Sequence, residues 1–284
     1  MVNIFNYEYF IGLGGFSSFE LLLFSLIFLS IGSFASSSIF RLSPNSLNEQ
    51  TNTNLLFPRS FCPDCKTSIK LIYLIPLVGY IIQKGKCNSC KKEISSLYPL
   101  TEIFFLFSGL VALKIFGLGI FLYFSILLIY LFYVLFYLDF KFYYLPLSLN
   151  LLLVITGFVS NIFFNVFIND TAYIFNLSSI TFTAYGFLIG YSSLWFINFI
   201  FRIIYKRDGI GGGDFILFGG IGSIFGPISL GLILFLGAFI GCILFLIFNN
   251  KFKNEIPLGS SLILGSVFYF FIKKYELLSN FLVI

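Results

Sequence analysis

The sequence predicts an all-α polytopic membrane protein with about eight transmembrane helices and a cytoplasmic cysteine-rich loop domain. Of its 284 residues, 58% are hydrophobic and only 10% are charged, whereas soluble domains carry about 25% charged residues. The apolar residues form continuous runs near the roughly 20 residues that a helix needs to cross a bilayer. A transmembrane β-barrel would instead show segments of about ten residues in which apolar and polar side chains alternate.

Eight apolar runs are the candidate membrane spans. The boundary between the sixth and seventh runs depends on Gly226 and Pro227 alone. A further apolar segment, residues 71–82, is too short for a span and is interrupted by Pro76, so we expect an interfacial or re-entrant piece there. The eight predicted spans are residues 16–40, 98–116, 118–138, 145–168, 181–204, 213–227, 228–249 and 257–272.

The composition also restricts the chemistry that the chain can perform. It contains no histidine, which excludes Ser-His-Asp and Cys-His nucleophile systems and histidine-based metal sites. The remaining acid and base candidates are the 12 aspartates and glutamates, the lysines, the cysteines and the tyrosines.

The positions of the basic residues predict the orientation in the membrane. If the N-terminus is outside, every lysine and arginine except Lys114, Lys273 and Lys274 lies in a cytoplasmic loop, as the positive-inside rule requires. The net charge of +5 then follows from topology and gives no reason to expect nucleic-acid binding. This orientation brings Asp139, at the end of the third span, and Asp214, at the start of the sixth, to the cytoplasmic side.

The hydrophilic stretch at residues 41–97 contains two cysteine pairs. It begins with a polar segment, SPNSLNEQTNTN, which we expect to be flexible, and continues with FCPDC and KCNSC. The two C-x-x-C pairs are 21 residues apart, close to the spacing of tetrahedral Cys₄ zinc sites. Two disulfides or a redox pair are the alternatives, but a cytoplasmic loop keeps its cysteines reduced. The predicted zinc ligands are Cys62, Cys65, Cys87 and Cys90.

Two other residues with reactive groups receive structural interpretations. Cys242 lies inside an apolar run, so we expect it to be a packing residue. Glu102 lies one turn into the second span, where a carboxylate can be solvated at the interface, so we interpret it as structural or interfacial.

Asp139 and Asp214 are the candidate catalytic residues, because a carboxylate at the edge of a membrane span is costly and marks a functional site. Asp139 directly follows the run YLFYVLFYL, and Asp214 follows three glycines in GIGGGDFILFGG, residues 209–220. The glycines alone are equally typical of a hinge or a close-packing point. Two aspartates on one side of the membrane suit an aspartic mechanism, in which one carboxylate stays protonated while the other activates water for attack on a peptide carbonyl.

The assembled motifs resemble those of the type IV prepilin peptidases, also called leader peptidases, a family of polytopic aspartic proteases with a glycine-x-glycine-aspartate motif. The similarity covers most of the chain, and the order and spacing of the motifs match throughout. The matching segments are GSFASSSIFRL (32–42), RSFCPDCKTSI (59–69), IPLVGY (75–80), GKCNSCKKEISSLYPLTE (85–102), LDFKFYYLP (138–146), GIGGGDF (209–215) and IPLGSSLILG (256–265).

The resemblance implies a bifunctional enzyme of the bacterial inner membrane. Such an enzyme cuts the short basic leader from prepilins or related pseudopilins, the substrates of type IV pilus assembly and type II secretion, after a glycine at the cytoplasmic face. It then methylates the new N-terminal residue with S-adenosylmethionine. By resemblance, Asp139 and Asp214 match the catalytic aspartates, and the metal-binding tetrad corresponds to Cys62, Cys65, Cys87 and Cys90. The sequence identifies no S-adenosylmethionine-binding residues, because it contains no strand–glycine-loop–helix unit.

Three positions depart from the family pattern. Leu147 stands where the family commonly has an aspartate, and Ile216 stands where it commonly has a lysine. The first span reads ASSSIF where an asparagine is usual. None of these departures changes the carboxylate pair, so peptide cleavage is still expected.

Two other functions remain compatible with the residues alone. The chain can be an intramembrane aspartic protease that does not methylate its products, although the cysteine loop argues against this. It can also be a non-enzymatic assembly or transport protein whose carboxylates carry protons. Along the chain we expect three parts: a first transmembrane helix (1–40), a cytoplasmic zinc-binding loop domain (41–97) and a transmembrane aspartic peptidase core (98–284).

Overall fold

The computed structural model describes Ile4, residues 15–44, 59–168, Ala172, and residues 175–248 and 256–275. Within these ranges every named element is a helix, and two single-residue β-bridges in the cysteine loop are the only extended pairings. The predicted all-α fold is therefore confirmed. The polar segment at 43–54, apart from its first two residues, and the loop with Lys251 and Lys253 lie outside the described residues.

Each of the eight predicted spans corresponds to one helix. Six of these helices are long and apolar enough to cross a membrane, so the chain is a multi-pass membrane protein. The short segment at 71–82 forms a 3₁₀ turn, Leu71–Leu74, and a one-turn helix, α2 (Val78–Ile82). The long helices are α1 (Ser18–Leu42), α3 (Leu97–Phe116), α4 (Ile120–Phe142), α5 (Leu147–Phe164), α6 (Ser179–Tyr205), α7 (Gly212–Phe225), α8 (Ser229–Phe248) and α9 (Leu258–Lys274).

The break between α7 and α8 lies at Gly226 and Pro227, as the sequence predicted. Helix α7 ends at Phe225, and Gly226 has a φ of 85°, a left-handed conformation that glycine adopts without steric cost. Pro227 follows and cannot continue the helix. The two apolar runs therefore form separate helices.

The chain divides into two compact units, and α4 runs from one into the other. The first unit comprises Tyr9–Val134. In it, α1 begins with a capping box, in which Ser17 and Glu20 satisfy each other's backbone N–H groups. Helices α1 and α3 pack so closely that a Cβ atom on Gly32 would lie 2.7 Å from the Cα atom of Glu102.

Glu102 also fixes the short segment that precedes the second cysteine pair. Its Oε2 atom accepts the backbone N–H of Leu77 at 2.7 Å, and the carboxylate is only 6% exposed. Leu77 has a φ of 59°, an unusual conformation for a non-glycine residue. The carboxylate therefore holds a strained turn between the 3₁₀ turn and α2, and this agrees with the structural interpretation of Glu102.

The second unit comprises Met1–Glu8 and Leu135–Ile284, and α7 lies at its centre. Every residue of α7 from Leu217 to Phe225 is buried, and the helix packs against α5 and α6 along its length. A Cβ atom on Gly186 of α6 would overlap the carbonyl oxygen of Gly222 in α7, and one on Gly222 would overlap the carbonyl oxygen of Gly186. The glycines of both helices therefore allow backbone-to-backbone contact, which holds α7 close against α6.

We predict that Gly186→Ala lowers the thermal stability of the detergent-solubilised protein. The added methyl group has no space between α6 and α7, and overpacking of this kind costs about 1–3 kcal/mol. The melting temperature measured by the loss of far-ultraviolet circular dichroism tests this prediction.

Gly231→Ala is the matched control, because a Cβ atom at Gly231 in α8 meets nothing within 4 Å. Alanine is the better helix former by about 1 kcal/mol, so we expect this variant to be at least as stable as the wild type. Equal melting temperatures for the two variants would contradict the backbone contact.

Candidate active site and metal centre

Asp139 lies in the last turn of α4 and is held by the start of α9. Its side chain is 5% exposed, and its Oδ2 atom accepts the backbone N–H of Ser260. Ser260 is the third residue of α9, where backbone N–H groups have no partner within the helix. The carboxyl group therefore satisfies a donor at the positive end of the helix dipole.

Asp214 lies in the first turn of α7, directly after the glycine run. Its backbone N–H donates to the carbonyl of Gly211 at 3.1 Å, which starts the helix. Its Oδ1 atom is buried and has no hydrogen-bond partner. One oxygen of this carboxyl group is therefore available for a ligand.

The two carboxyl groups meet at Gly259 of α9. A Cβ atom built on Gly259 would lie 3.0 Å from Asp214 Oδ1 and 3.1 Å from Asp139 Cγ. Both groups therefore lie within 3.1 Å of a single point, although 75 positions separate them in the sequence. Any side chain at position 259 would occupy the space between the carboxyl groups, so the site requires glycine there.

The glycine loop that precedes Asp214 is anchored by Asn198 of α6. The side-chain oxygen of Asn198 accepts the backbone N–H groups of Gly209 and Ile210, at 2.8 and 3.0 Å. Its Nδ2 atom donates to Asp208 at 3.1 Å, and Asp208 also lies 3.9 Å from the Nε atom of Arg202. The loop is therefore fixed at its start, whereas a Cβ atom at Gly212 would meet nothing within 4 Å.

Two asparagines of α5 contact the two ends of α7. Asn150 donates from Nδ2 to the carbonyl of Gly213 at 3.0 Å, next to Asp214. Asn161 donates to the carbonyls of Ser223 and Ile224, at 2.9 and 3.0 Å. The helix that carries Asp214 is therefore held at both ends by side-chain amides of one neighbouring helix.

Sequence reasoning missed four of these residues: Asn150, Asn198, Gly259 and Ser260. The last two lie in the segment IPLGSSLILG, which carried part of the family resemblance, and that was the available signal. The asparagines gave no such signal, because a polar residue in an apolar run does not reveal which helix it faces.

Of the positions that depart from the family, Leu147 is 56% exposed at the start of α5, and Ile216 is partly buried in α7.

The four predicted metal ligands of the first unit form one cluster. The sulfur atoms of Cys62, Cys65, Cys87 and Cys90 all lie within 4.8 Å of one another, and all four cysteines are free thiols. The Sγ atoms of Cys62 and Cys90 are 3.8 Å apart, and those of Cys65 and Cys87 are 3.9 Å apart. A tetrahedral zinc ion with Zn–S bonds of about 2.3 Å has its sulfur ligands about 3.8 Å apart. The cluster can therefore hold a metal ion of this size.

The two cysteine pairs have the same local fold. In each, the first cysteine donates its N–H to the carbonyl five residues later, Cys62 to Thr67 and Cys87 to Lys92, at 3.0 and 2.8 Å. A β-bridge closes each turn, Phe61 with Ser68 and Lys86 with Glu93. Two equivalent turns that face each other are the arrangement that presents four sulfurs to one ion.

Hydrogen bonds to two of the four sulfurs favour the thiolate form that a metal requires. The hydroxyl and backbone N–H of Thr67 lower the pKa of Cys65 to about 6. The backbone N–H groups of Cys90 and Ser89 lower the pKa of Cys87. Asp64 and Lys92 form an exposed ion pair between the two turns, with 2.5 Å between the charged atoms.

Cys242 lies outside this cluster, on α8, and its side chain is exposed. The expectation that it is a packing residue is therefore wrong. In a membrane protein an apolar run contains lipid-facing as well as packed positions, because lipid solvates apolar side chains as well as a core does.

Comparison with known proteins identifies the family. The profile described as the bacterial peptidase A24 N-terminal domain matches residues 26–116, and that of the type IV leader peptidase family matches residues 125–247. No solved structure matches the chain.

Several curated relatives bear the name prepilin leader peptidase/N-methyltransferase. The protein from Neisseria gonorrhoeae is 28% identical over 87% of this chain and 88% of its own length. The Dichelobacter nodosus protein is 34% identical, with 72% of this chain and 68% of the relative covered. The Klebsiella pneumoniae protein is 30% identical, with 71% of this chain and 85% of the relative covered. On these grounds the chain belongs to the type IV leader peptidase family.

Proposed function

We propose that this chain cleaves the basic leader peptide of type IV prepilins or pseudopilins after a glycine, and that Asp139 and Asp214 are the catalytic residues. The observation that carries the proposal is the meeting of the two carboxyl groups at Gly259. The printed name of the relatives, prepilin leader peptidase/N-methyltransferase, supplies the substrate class and the second activity. The enzyme is therefore a membrane aspartic endopeptidase that also N-methylates its product.

The hydrogen bonds suggest different roles for the two aspartates. Asp139 Oδ2 accepts the N–H of Ser260, so this group acts as the carboxylate that takes a proton from water. Asp214 Oδ1 has no donor, so this group acts as the carboxylic acid. The water oxygen attacks the carbonyl carbon of the scissile bond as its proton passes to Asp139. Asp214 then gives its proton to the leaving nitrogen as the carbon–nitrogen bond breaks.

The glycine loop provides an approach for the substrate. Gly211 and Gly212 are exposed, and no atom lies within 4 Å of the position that a Cβ atom would take at Gly212. A peptide main chain can come close to a backbone that lacks side chains. We therefore expect the scissile peptide to enter beside these two residues.

The second activity and the location follow from the family and from charge. The methyl donor is S-adenosylmethionine, and it transfers its methyl group to the new N-terminal amine. The distribution of lysine and arginine supports an inner-membrane enzyme whose aspartates face the cytoplasm. The proposed domain organisation is a first transmembrane helix at 1–40, a zinc-binding domain at 41–97 and the peptidase core at 98–284.

We predict that Asp139→Asn and Asp214→Asn each abolish removal of the leader. An amide can neither accept the proton of water nor donate one to the leaving nitrogen, and such groups contribute about 10²–10⁴-fold to the rate. Purified protein is incubated with a prepilin and S-adenosylmethionine, and mass spectrometry of the product reads both the cleavage position and the added methyl group.

Glu20→Gln is the control for these variants. It makes the same chemical change in the first turn of α1, where glutamine preserves the capping box, so cleavage should continue at the wild-type rate. An intact leader with the wild-type protein would overturn the enzyme assignment. Cleavage by both aspartate variants would favour a transport or assembly role, and cleavage without methylation would favour a protease that lacks the second activity.

We further propose that the metal at the cysteine cluster is a structural zinc ion. All four ligands are sulfurs, so no coordination position is left for a substrate, as is typical of structural rather than catalytic zinc sites. The sulfur-to-sulfur distances of 3.8 and 3.9 Å suit this ion. Zinc would hold the two turns together on either side of the segment at 71–82.

The double variant Cys62→Ser/Cys87→Ser, which removes one ligand from each turn, should lose the zinc. We expect about one zinc ion per chain in the wild type and a nearly metal-free variant, as measured by inductively coupled plasma mass spectrometry. Cys242→Ser is the control, since it removes a thiol outside the cluster and should leave the zinc content unchanged. Equal zinc in the double variant and the control would refute the assignment.

A further inference from the structure

Two buried oxygens beside the aspartate pair have no hydrogen-bond partner. Among the described side chains, the only buried nitrogen or oxygen atoms without a hydrogen-bond partner are Asn150 Oδ1 and Asp214 Oδ1. Asn150 itself is 0% exposed. Buried polar groups nearly always have a hydrogen-bond partner, because an unpaired buried group is costly, so each exception calls for a functional reason such as a bound donor.

The direction of the Asn150 amide follows from its partner. The group within hydrogen-bond distance is the carbonyl oxygen of Gly213, 3.0 Å from Nδ2. A carbonyl oxygen only accepts, so the NH₂ end of the amide must face it. The side-chain oxygen is therefore the end that remains open, next to the residue that precedes Asp214.

Asn161 shows what a purely structural asparagine looks like on the same helix. Its Nδ2 atom donates to two carbonyls at the end of α7, and its Oδ1 atom accepts the N–H of Phe167 at 2.9 Å. Both ends of this amide are used. Asn150 performs the same holding task at the start of α7 but keeps a spare acceptor.

We propose that Asn150 Oδ1 and Asp214 Oδ1 form a binding position for polar hydrogens of the reacting system. The ligand is a hydrogen-bond donor that the protein does not supply: the O–H of the attacking water or a main-chain N–H of the substrate peptide. Asn150 is then a further binding residue of the peptidase site, and this inference rests on the proposed peptidase function. It adds a neutral acceptor to a site whose other acceptors are carboxyl oxygens.

Two substitutions separate the open oxygen from the hydrogen bond to Gly213. Asn150→Leu has nearly the same shape and removes both. Asn150→Asp keeps an acceptor oxygen but sets another oxygen against the carbonyl of Gly213. If the oxygen binds a donor, Asn150→Leu is the worse enzyme, and we expect kcat/KM to fall about tenfold, the usual effect of one lost hydrogen bond.

The kinetic constants for prepilin cleavage identify the donor. A lower kcat at unchanged KM points to the attacking water, because that bond is needed in the transition state. A higher KM points to the substrate main chain. Either result supports the proposal.

Asn161→Leu is the matched control, since it removes two hydrogen bonds to the other end of α7 and a third to the backbone N–H of Phe167. We expect it to lower the melting temperature more than Asn150→Leu does, while kcat/KM stays within about twofold of the wild type. The proposal is overturned if Asn150→Leu cleaves like the wild type, if Asn150→Asp is as impaired as Asn150→Leu or more so, or if Asn161→Leu loses as much activity. If Asn150→Leu does not fold, Asn150→Ala removes the same oxygen without adding bulk, and a wild-type kcat/KM for Asn150→Ala overturns the proposal.

The same experiment distinguishes this inference from the proposed function. A wild-type protein that leaves the leader intact refutes both. A wild type that cleaves and an Asp214→Asn variant that does not, together with normal kinetics in Asn150→Leu, refute only the binding role of Asn150.

Discussion

The arrangement of the second unit depends on the first turn of α9. That turn offers a backbone N–H to Asp139, and at Gly259 it has no side chain where the two carboxyl groups meet. Two acidic groups at one place in a membrane protein repel each other and are poorly solvated. The positive end of a helix dipole offsets part of that cost. A backbone feature, rather than a third polar side chain, therefore makes the acidic pair possible.

A buried carboxylate in this protein is not by itself a catalytic group. Glu102 is buried as deeply as Asp139, yet it fixes the turn at Leu77 and belongs to the unit that carries the cysteines. Asp214 differs because its Oδ1 atom has no hydrogen-bond partner. That oxygen lies beside Gly259, where the carboxyl group of Asp139 also lies. The useful distinction is whether the oxygens of the carboxyl group are hydrogen-bonded within the protein or are open to a ligand.

The sequence allowed the helices to be predicted better than their contacts. Continuous apolar runs locate spans because a bilayer has a fixed thickness, and the rarity of charge within them drew attention to Asp139 and Asp214. The spacing of the cysteines likewise predicted a cluster, because each pair closes its own local turn. The importance of Gly259 could not be predicted, since it depends on which three helices meet. In the sequence, Gly259 and the serines after it look like small residues that allow close helix packing.

Two departures from the family pattern lie near the hydrogen bond that joins α5 and α7. The resemblance leads one to expect an aspartate at position 147 and a lysine at position 216, and this chain has leucine and isoleucine there. Asn150 lies about one turn after Leu147, and Gly213 lies about one turn before Ile216. The amide hydrogen bond between them joins the same two helices without adding a charge beside the aspartates. Because the NH₂ group of Asn150 faces Gly213, the Oδ1 atom of the same amide stays open. The uncharged side chain that joins the two helices therefore also supplies a hydrogen-bond acceptor to the proposed site.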